Sequence, residues 1–105
     1  MTTLRDDGHP PLTVDCSATD GGWACTVLVG DDAGATEHAV TLDREALTGL
    51  APAGTNPEEL LVASFRFLLE REPRESIMRS FELPIITRFF GDYETEVARR
   101  LAPQR

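Results

Sequence analysis

The chain has 105 residues, of which 41% are hydrophobic and 27% are charged, and this suits one globular domain with a single core. Its net charge is -8, and all ten basic residues are arginines. Proteins that bind nucleic acid normally carry clustered positive charge, so we do not expect a nucleic-acid partner. The chain has no run of about 18 apolar residues, and we therefore expect no transmembrane helix.

The charge is unevenly distributed along the chain. Residues 1–56 hold nine acidic side chains and two arginines, which gives a net charge of -7. Residues 57–105 hold nine acidic side chains and eight arginines, which gives a net charge of -1. Residues 1–11 are polar, contain the pair Pro10-Pro11 and lack the apolar segment of a secretory signal. We therefore expect a loose N-terminal segment over residues 1–11 and a cytoplasmic protein, in which thiols are reduced.

Alternating apolar residues predict a β-hairpin after this segment. The apolar positions are Leu12, Val14 and Cys16 in the first run and Trp23, Cys25, Val27 and Val29 in the second. Asp20-Gly21 lies between them and favours a two-residue primed turn, whose central residues have positive φ. With this loop, Cys16 faces Cys25, and all the apolar residues share one face.

A third alternating run over residues 36–42 completes a three-stranded antiparallel meander, whose apolar face must be covered. Asp43 is a suitable N-cap for a short helix over residues 44–48. A longer helix is predicted from Pro57 to about residue 71, with Asn56 as its N-cap and Pro73 as its end. Its apolar positions recur at helical spacing: Leu60, Leu61, Phe65, Phe67, Leu68 and Leu69.

Three further short helical segments are predicted in the C-terminal part. The first opens at Pro73 and carries Ile77, Met78 and Phe81, the second is an apolar turn over residues 85–90, and the third spans about residues 92–101. The predicted fold class is α+β, a three-stranded antiparallel β-meander followed by three to four helices packed on one face. Residues 12–105 form this single domain.

The two cysteines are the first candidates for chemistry, because the hairpin register places Cys16 opposite Cys25. A disulfide or redox role is one hypothesis. We favour the other, in which both thiols are buried and act as small hydrophobes. His38 lies on the same face, but the closely spaced ligand pairs of metal sites are missing, and a structural histidine is favoured. We predict no catalytic, cofactor-binding or metal-binding residue.

Residues 54–61, G-T-N-P-E-E-L-L, are similar to the segment that opens the central helix in the organic-hydroperoxide-resistance (OsmC/Ohr) family. In that family a reactive cysteine follows the proline by about three helical turns. The resemblance implies thiol-dependent redox chemistry. This chain has R-F-L-L at the corresponding residues 66–69 and no thiol there.

From about residue 57 to residue 96 the chain resembles short uncharacterised proteins of high-GC bacteria that share FLLEREP-x-ESI. This motif spans residues 67–77 here. It continues with Phe81, Ile85, Ile86, Phe89, Phe90 and D-Y-E at residues 92–94. The resemblance implies a shared helical fold, and it brings no reaction, ligand or catalytic residue.

Residues 74–90 also resemble a helix-turn-helix, with Arg79 and Arg88 as phosphate contacts and Thr87 directed toward a base edge. The second helix of this segment is short and apolar, whereas a recognition helix exposes several polar side chains. A weak DNA-binding regulator is therefore an alternative hypothesis.

The C-terminal helices carry more large apolar side chains than one face of a small sheet can cover, and surplus apolar surface marks interfaces. We therefore predict a non-enzymatic protein-interaction or regulatory domain without a cofactor. Its partner is predicted to be a second copy or another protein. The candidate interface residues are Phe67, Phe81, Phe89, Phe90 and Tyr93.

Overall fold

A computed structural model describes residues 2–4, 10–31 and 33–102 of the protein. Five strands form one sheet in chain order: β1 (Thr2–Leu4), β2 (Leu12–Ala18), β3 (Gly22–Val29), β4 (Thr36–Asp43) and β5 (Ser80–Glu82). The helices are α1 (Arg44–Leu50), α2 (Pro57–Leu69), α3 (Ile86–Phe89) and α4 (Tyr93–Leu101). Neighbouring strands from β1 to β4 are antiparallel, and β5 is parallel to β4. The fold is α+β, as predicted.

The predicted hairpin register is confirmed, because Cys16 pairs with Cys25 and the other apolar pairs follow. The turn is not of the primed kind, since neither Asp20 nor Gly21 has a positive φ. The apolar pattern therefore accounts for the register without the turn geometry. A slip of one residue would turn the whole apolar face toward solvent.

The sheet is wider than the predicted three-stranded meander. Residues 2–4, within the segment expected to be loose, form β1 against β2, while residues 5–9 lie outside the described part of the chain. At the other edge, β5 pairs with β4. Backbone N–H and C=O groups at the two edges of the meander would otherwise be unpaired, and β1 and β5 provide hydrogen-bond partners for them.

The helix predicted to open at Pro73 does not form. A 3₁₀ turn spans Arg74–Ser76, and the chain then becomes extended and enters β5. Ile77 and Phe81 are buried, as the apolar pattern requires, but they reach the core from a turn and a strand. A short apolar run is compatible with a helix, a turn or a strand. In this protein, the pairing with β4 favours the strand.

The central helix α2 begins as predicted. The Asn56 side chain accepts a hydrogen bond from the backbone N–H of Glu59 (2.8 Å), and the Glu59 carboxylate accepts one from the N–H of Asn56 (3.1 Å). Its residues 60–68 are all buried, because α2 packs on the sheet and also contacts α1 and α4. The helix ends at Leu69, about two residues before the predicted end.

The core lies between the inner face of the sheet and the helices, and none of the described elements covers the outer face of the sheet, which we call the open face. Most side chains on this outer face are short or acidic, among them Asp15, Thr26, Glu37, Ala39 and Thr41, and Leu28 is an exposed apolar residue there. Among the described residues, no helix combines the length and the apolar character needed to cross a bilayer.

Candidate interaction surface and the buried polar groups

The imidazole of His38 is fully buried, and both its nitrogens are bonded. The carbonyl oxygen of Met78 lies 2.7 Å from Nδ1, and since a carbonyl can only accept, Nδ1 carries the proton. The hydroxyl of Thr36 lies 2.8 Å from Nε2 and therefore donates to it. Burial lowers the pKa of His38, although the bond to Met78 acts in the opposite direction. His38 is thus the structural histidine that the sequence predicts.

A second buried polar pair joins α2 to α4. The hydroxyl of Ser64 donates to the carbonyl oxygen of Leu60 (2.8 Å), so the Tyr93 hydroxyl, 2.6 Å from Ser64 Oγ, is the donor in that contact. Burial raises the pKa of Tyr93 far above its ordinary value. This pair was not predicted from the sequence, although a serine within an apolar helical segment is a signal for a buried hydrogen bond.

Cys16 and Cys25 are joined by a disulfide, and their Cα atoms are 4.0 Å apart. The prediction that both remain reduced is therefore wrong, although the predicted register is what brings the sulfurs together. Cys25 is only 3% exposed and Cys16 is half-buried. Disulfides are rare in the reducing cytosol, so this bond counts against the cytoplasmic location, which remains a prediction.

Two polar residues of the FLLEREP motif, Glu70 and Arg71, connect the end of α2 to α4 and to Asp92 before it. The Arg100 guanidinium donates two hydrogen bonds to the Glu70 carboxylate (2.9 and 2.6 Å), and these bonds raise the pKa of Arg100. Arg71 donates to Asp92 (2.6 Å), and its guanidinium carbon lies 3.8 Å from the centre of the Phe67 ring. These motif positions thus have a structural role in the described fold.

An apolar groove of about 230 Å³ opens between the end of α2, the 3₁₀ turn at Arg74–Ser76, β5 and α3. Two of its apolar lining side chains are exposed, Phe89 at 63% and Met78 at 41%. Its other apolar lining residues are Leu68, Ile77, Phe81, Ile86 and Phe90, and the polar ones are Glu72 and Ser76. Every lining residue except Met78 belongs to the motif and its continuation, so these positions converge on one surface.

The five candidate interface residues fall into two groups. Phe67 and Tyr93 are fully buried with their ring centres 5.4 Å apart, so they support the surface from within the core. Phe89 is exposed, and Phe81 and Phe90 line the groove. The structure therefore brings three of the five residues to the groove.

Residues 74–90 do not form a helix-turn-helix. The strand β5 occupies the middle of the segment, and α3 has only four residues. The hydroxyl of Thr87, expected to approach a base, donates instead to the carbonyl oxygen of Pro84 (2.8 Å). Arg79 and Arg88 are exposed, but no recognition helix carries them.

No protein family, characterised protein or solved structure matches the chain. In the part of the chain that the structure describes, no group of three or more histidine, cysteine or acidic side chains is placed to hold a metal ion. The significance of the groove therefore rests on its own geometry.

Proposed function

We propose that this protein is a non-enzymatic protein-interaction domain that binds its partner through the groove beside Phe89. The observation that carries this proposal is the 63% exposure of the Phe89 ring at the edge of an apolar groove. An exposed aromatic side chain beside an apolar recess is the typical composition of an interface centre, where burial of the ring removes apolar area from water.

The side chains of His38 and Tyr93, which could in principle act in catalysis, support this proposal, because their polar atoms are used in hydrogen bonds inside the fold. Both nitrogens of His38 are bonded, and the Tyr93 hydroxyl donates to Ser64. A general base or nucleophile must reach a substrate with a free atom, which these buried groups do not offer.

The size of the groove also favours a protein partner. Pockets for small molecules enclose roughly 300–1,000 Å³, and the groove measures about 230 Å³. A volume of this size accommodates an apolar side chain of a partner better than a cofactor.

Site-specific photocrosslinking tests the proposal. The protein is produced in cells with p-benzoylphenylalanine in place of Phe89, and the cells are irradiated. We expect a crosslinked species heavier than the single chain on a denaturing gel. Leu28 is the matched control position, because it is also an exposed apolar residue (38%) but lies on the open face of the sheet. Equal crosslinking at both positions, or none at position 89, contradicts the proposal.

A thiol-dependent redox protein is a second candidate, which the Cys16–Cys25 disulfide favours. Reduction requires a thiolate to reach one sulfur of the bond, and Cys25 is 3% exposed. Titration with dithiothreitol under native conditions, followed by alkylation and mass measurement, tests this function. Opening of the bond only when the protein unfolds excludes it.

A further inference from the structure

We infer that the groove is occupied by Phe89 of a second copy of this chain, in a two-fold dimer in which each copy inserts one ring and receives one. This inference rests on the proposed function of the groove. A two-fold interface uses the same patch on both subunits, so a projecting side chain and a recess must lie together on that patch. Phe89 meets this requirement, since its ring is exposed and also borders the groove.

The charge distribution favours this surface for contact between copies. Each chain carries a net charge of -8, so most approaches of two copies are repulsive. The outward-facing residues of β2 to β5 include the exposed carboxylates of Asp15, Glu37 and Glu82 and no arginine. Residues 71–92, which supply all of the groove lining except Leu68, contain four arginines and four acidic residues, one of which is Glu82 on the open sheet face. Two copies can therefore meet at this surface without net repulsion.

Glu72 and Arg88 give the contact a specific orientation. Glu72 lines the groove and Arg88 directly precedes Phe89, and neither makes an ion pair or a side-chain hydrogen bond with the described residues. In contrast, Arg71 and Arg100 are engaged by acidic groups. In the inferred dimer, Arg88 beside the inserted Phe89 pairs with Glu72 of the second copy. The two-fold axis forms this pair twice, and such complementarity fixes the register of an interface.

Sedimentation equilibrium over a range of protein concentrations tests this inference. We expect the wild type to be a dimer. We expect Phe89→Glu to raise the dissociation constant at least about 100-fold, because a buried aromatic anchor is lost twice per dimer. The matched control Leu28→Glu introduces the same charge at an exposed apolar site on the open sheet face and should remain dimeric. Circular dichroism melts establish that both variants are folded.

Charge reversal tests the orientation of the two copies. Glu72→Arg and Arg88→Glu are each expected to weaken the dimer about tenfold, and their combination is expected to restore it, because the pair is re-formed with opposite polarity. A double variant that is no better than the weaker single variant overturns the pairing of Arg88 with Glu72.

The outcomes separate this inference from the proposed function. If the protein is monomeric at all concentrations but still crosslinks at position 89, the occupant of the groove is another protein and not a second copy. This result overturns the inference and agrees with the proposed function. A wild-type dimer that Phe89→Glu leaves unchanged also overturns the inference. A monomer without any crosslink at position 89 contradicts both.

Discussion

Burial and hydrogen bonding decide what His38 can do. Its ring is fully buried 5.3 Å from the Phe65 ring, with Nδ1 donating to Met78 and Nε2 accepting from Thr36. Protonation of Nε2 would remove the acceptor that the Thr36 hydroxyl uses and would place a charge in the core. The same residue type that serves as a base in exposed clefts is here held in one neutral tautomer.

Acidification is expected to destabilise the protein through His38. Its pKa in the folded state lies below the ordinary value of 6.5, so the unfolded chain binds the proton more readily. The contribution of this group is complete at pH values above 6.5 and is lost as the pH falls below 6.5 toward the lower folded-state pKa. Urea unfolding between about pH 7.5 and about pH 5 measures this change.

The variant His38→Gln provides the control for this prediction, because glutamine does not titrate. We expect its free energy of unfolding to be lower than that of the wild type but to vary less across the same pH range. If the wild type and the variant lose stability in parallel as the pH falls, His38 is not the group responsible.

At the scale of elements, the sequence predicts a strand or helix best when the signals for that element lie within its own residues. The β2–β3 hairpin and α2 were predicted because their apolar residues repeat with the period of a strand or a helix and their ends carry clear signals, such as the Asn56 cap. The strands β1 and β5 were not predicted. Each has three residues, which is too few to show a period, and each exists because a neighbouring strand offers an unpaired edge.

Close approach between β3 and β4 makes Gly22 a sensitive position. A Cβ atom added there would collide with the backbone carbonyl oxygen of Leu42. We expect Gly22→Ala to lower the free energy of unfolding by roughly 1–3 kcal/mol, because backbone atoms cannot move aside as a flexible side chain can. Chemical denaturation measures this loss.

Gly21→Ala is the matched control in the same turn. Apart from its two chain neighbours, no described residue has an atom within 4 Å of an added Cβ at Gly21, and Gly21 does not have a positive φ, so we expect a change within about 0.5 kcal/mol. Equal effects of the two substitutions would show that the turn itself, and not the contact with Leu42, limits stability.

For the whole molecule, stability depends on the unfolded chain as well as on the folded one. The Cys16–Cys25 bond closes a loop with a sequence separation of nine residues, and such a closure restricts the unfolded ensemble. We expect the double variant Cys16→Ala, Cys25→Ala to lose roughly 2–3 kcal/mol in the free energy of unfolding. Urea unfolding checks the loss.

Reduced wild-type protein is the control for this prediction, since it lacks the bond but keeps both cysteine side chains. A similar loss in the reduced protein assigns the effect to the bond itself. A reduced protein as stable as the oxidised one contradicts the prediction and assigns the loss in the double variant to the removed side-chain volume.

The sequence by itself determined the α+β class, the register of the β2–β3 hairpin and the buried stripe of α2, because periodic apolar patterns act through local geometry. It also identified the aromatic residues Phe81, Phe89 and Phe90 as candidate interface residues. Only the tertiary structure decided which of the aromatic residues are enclosed and which line a groove. Exposure depends on the elements that pack around a side chain, and β5, whose pairing with β4 places Phe81 at the groove, forms through a contact between residues about 40 positions apart.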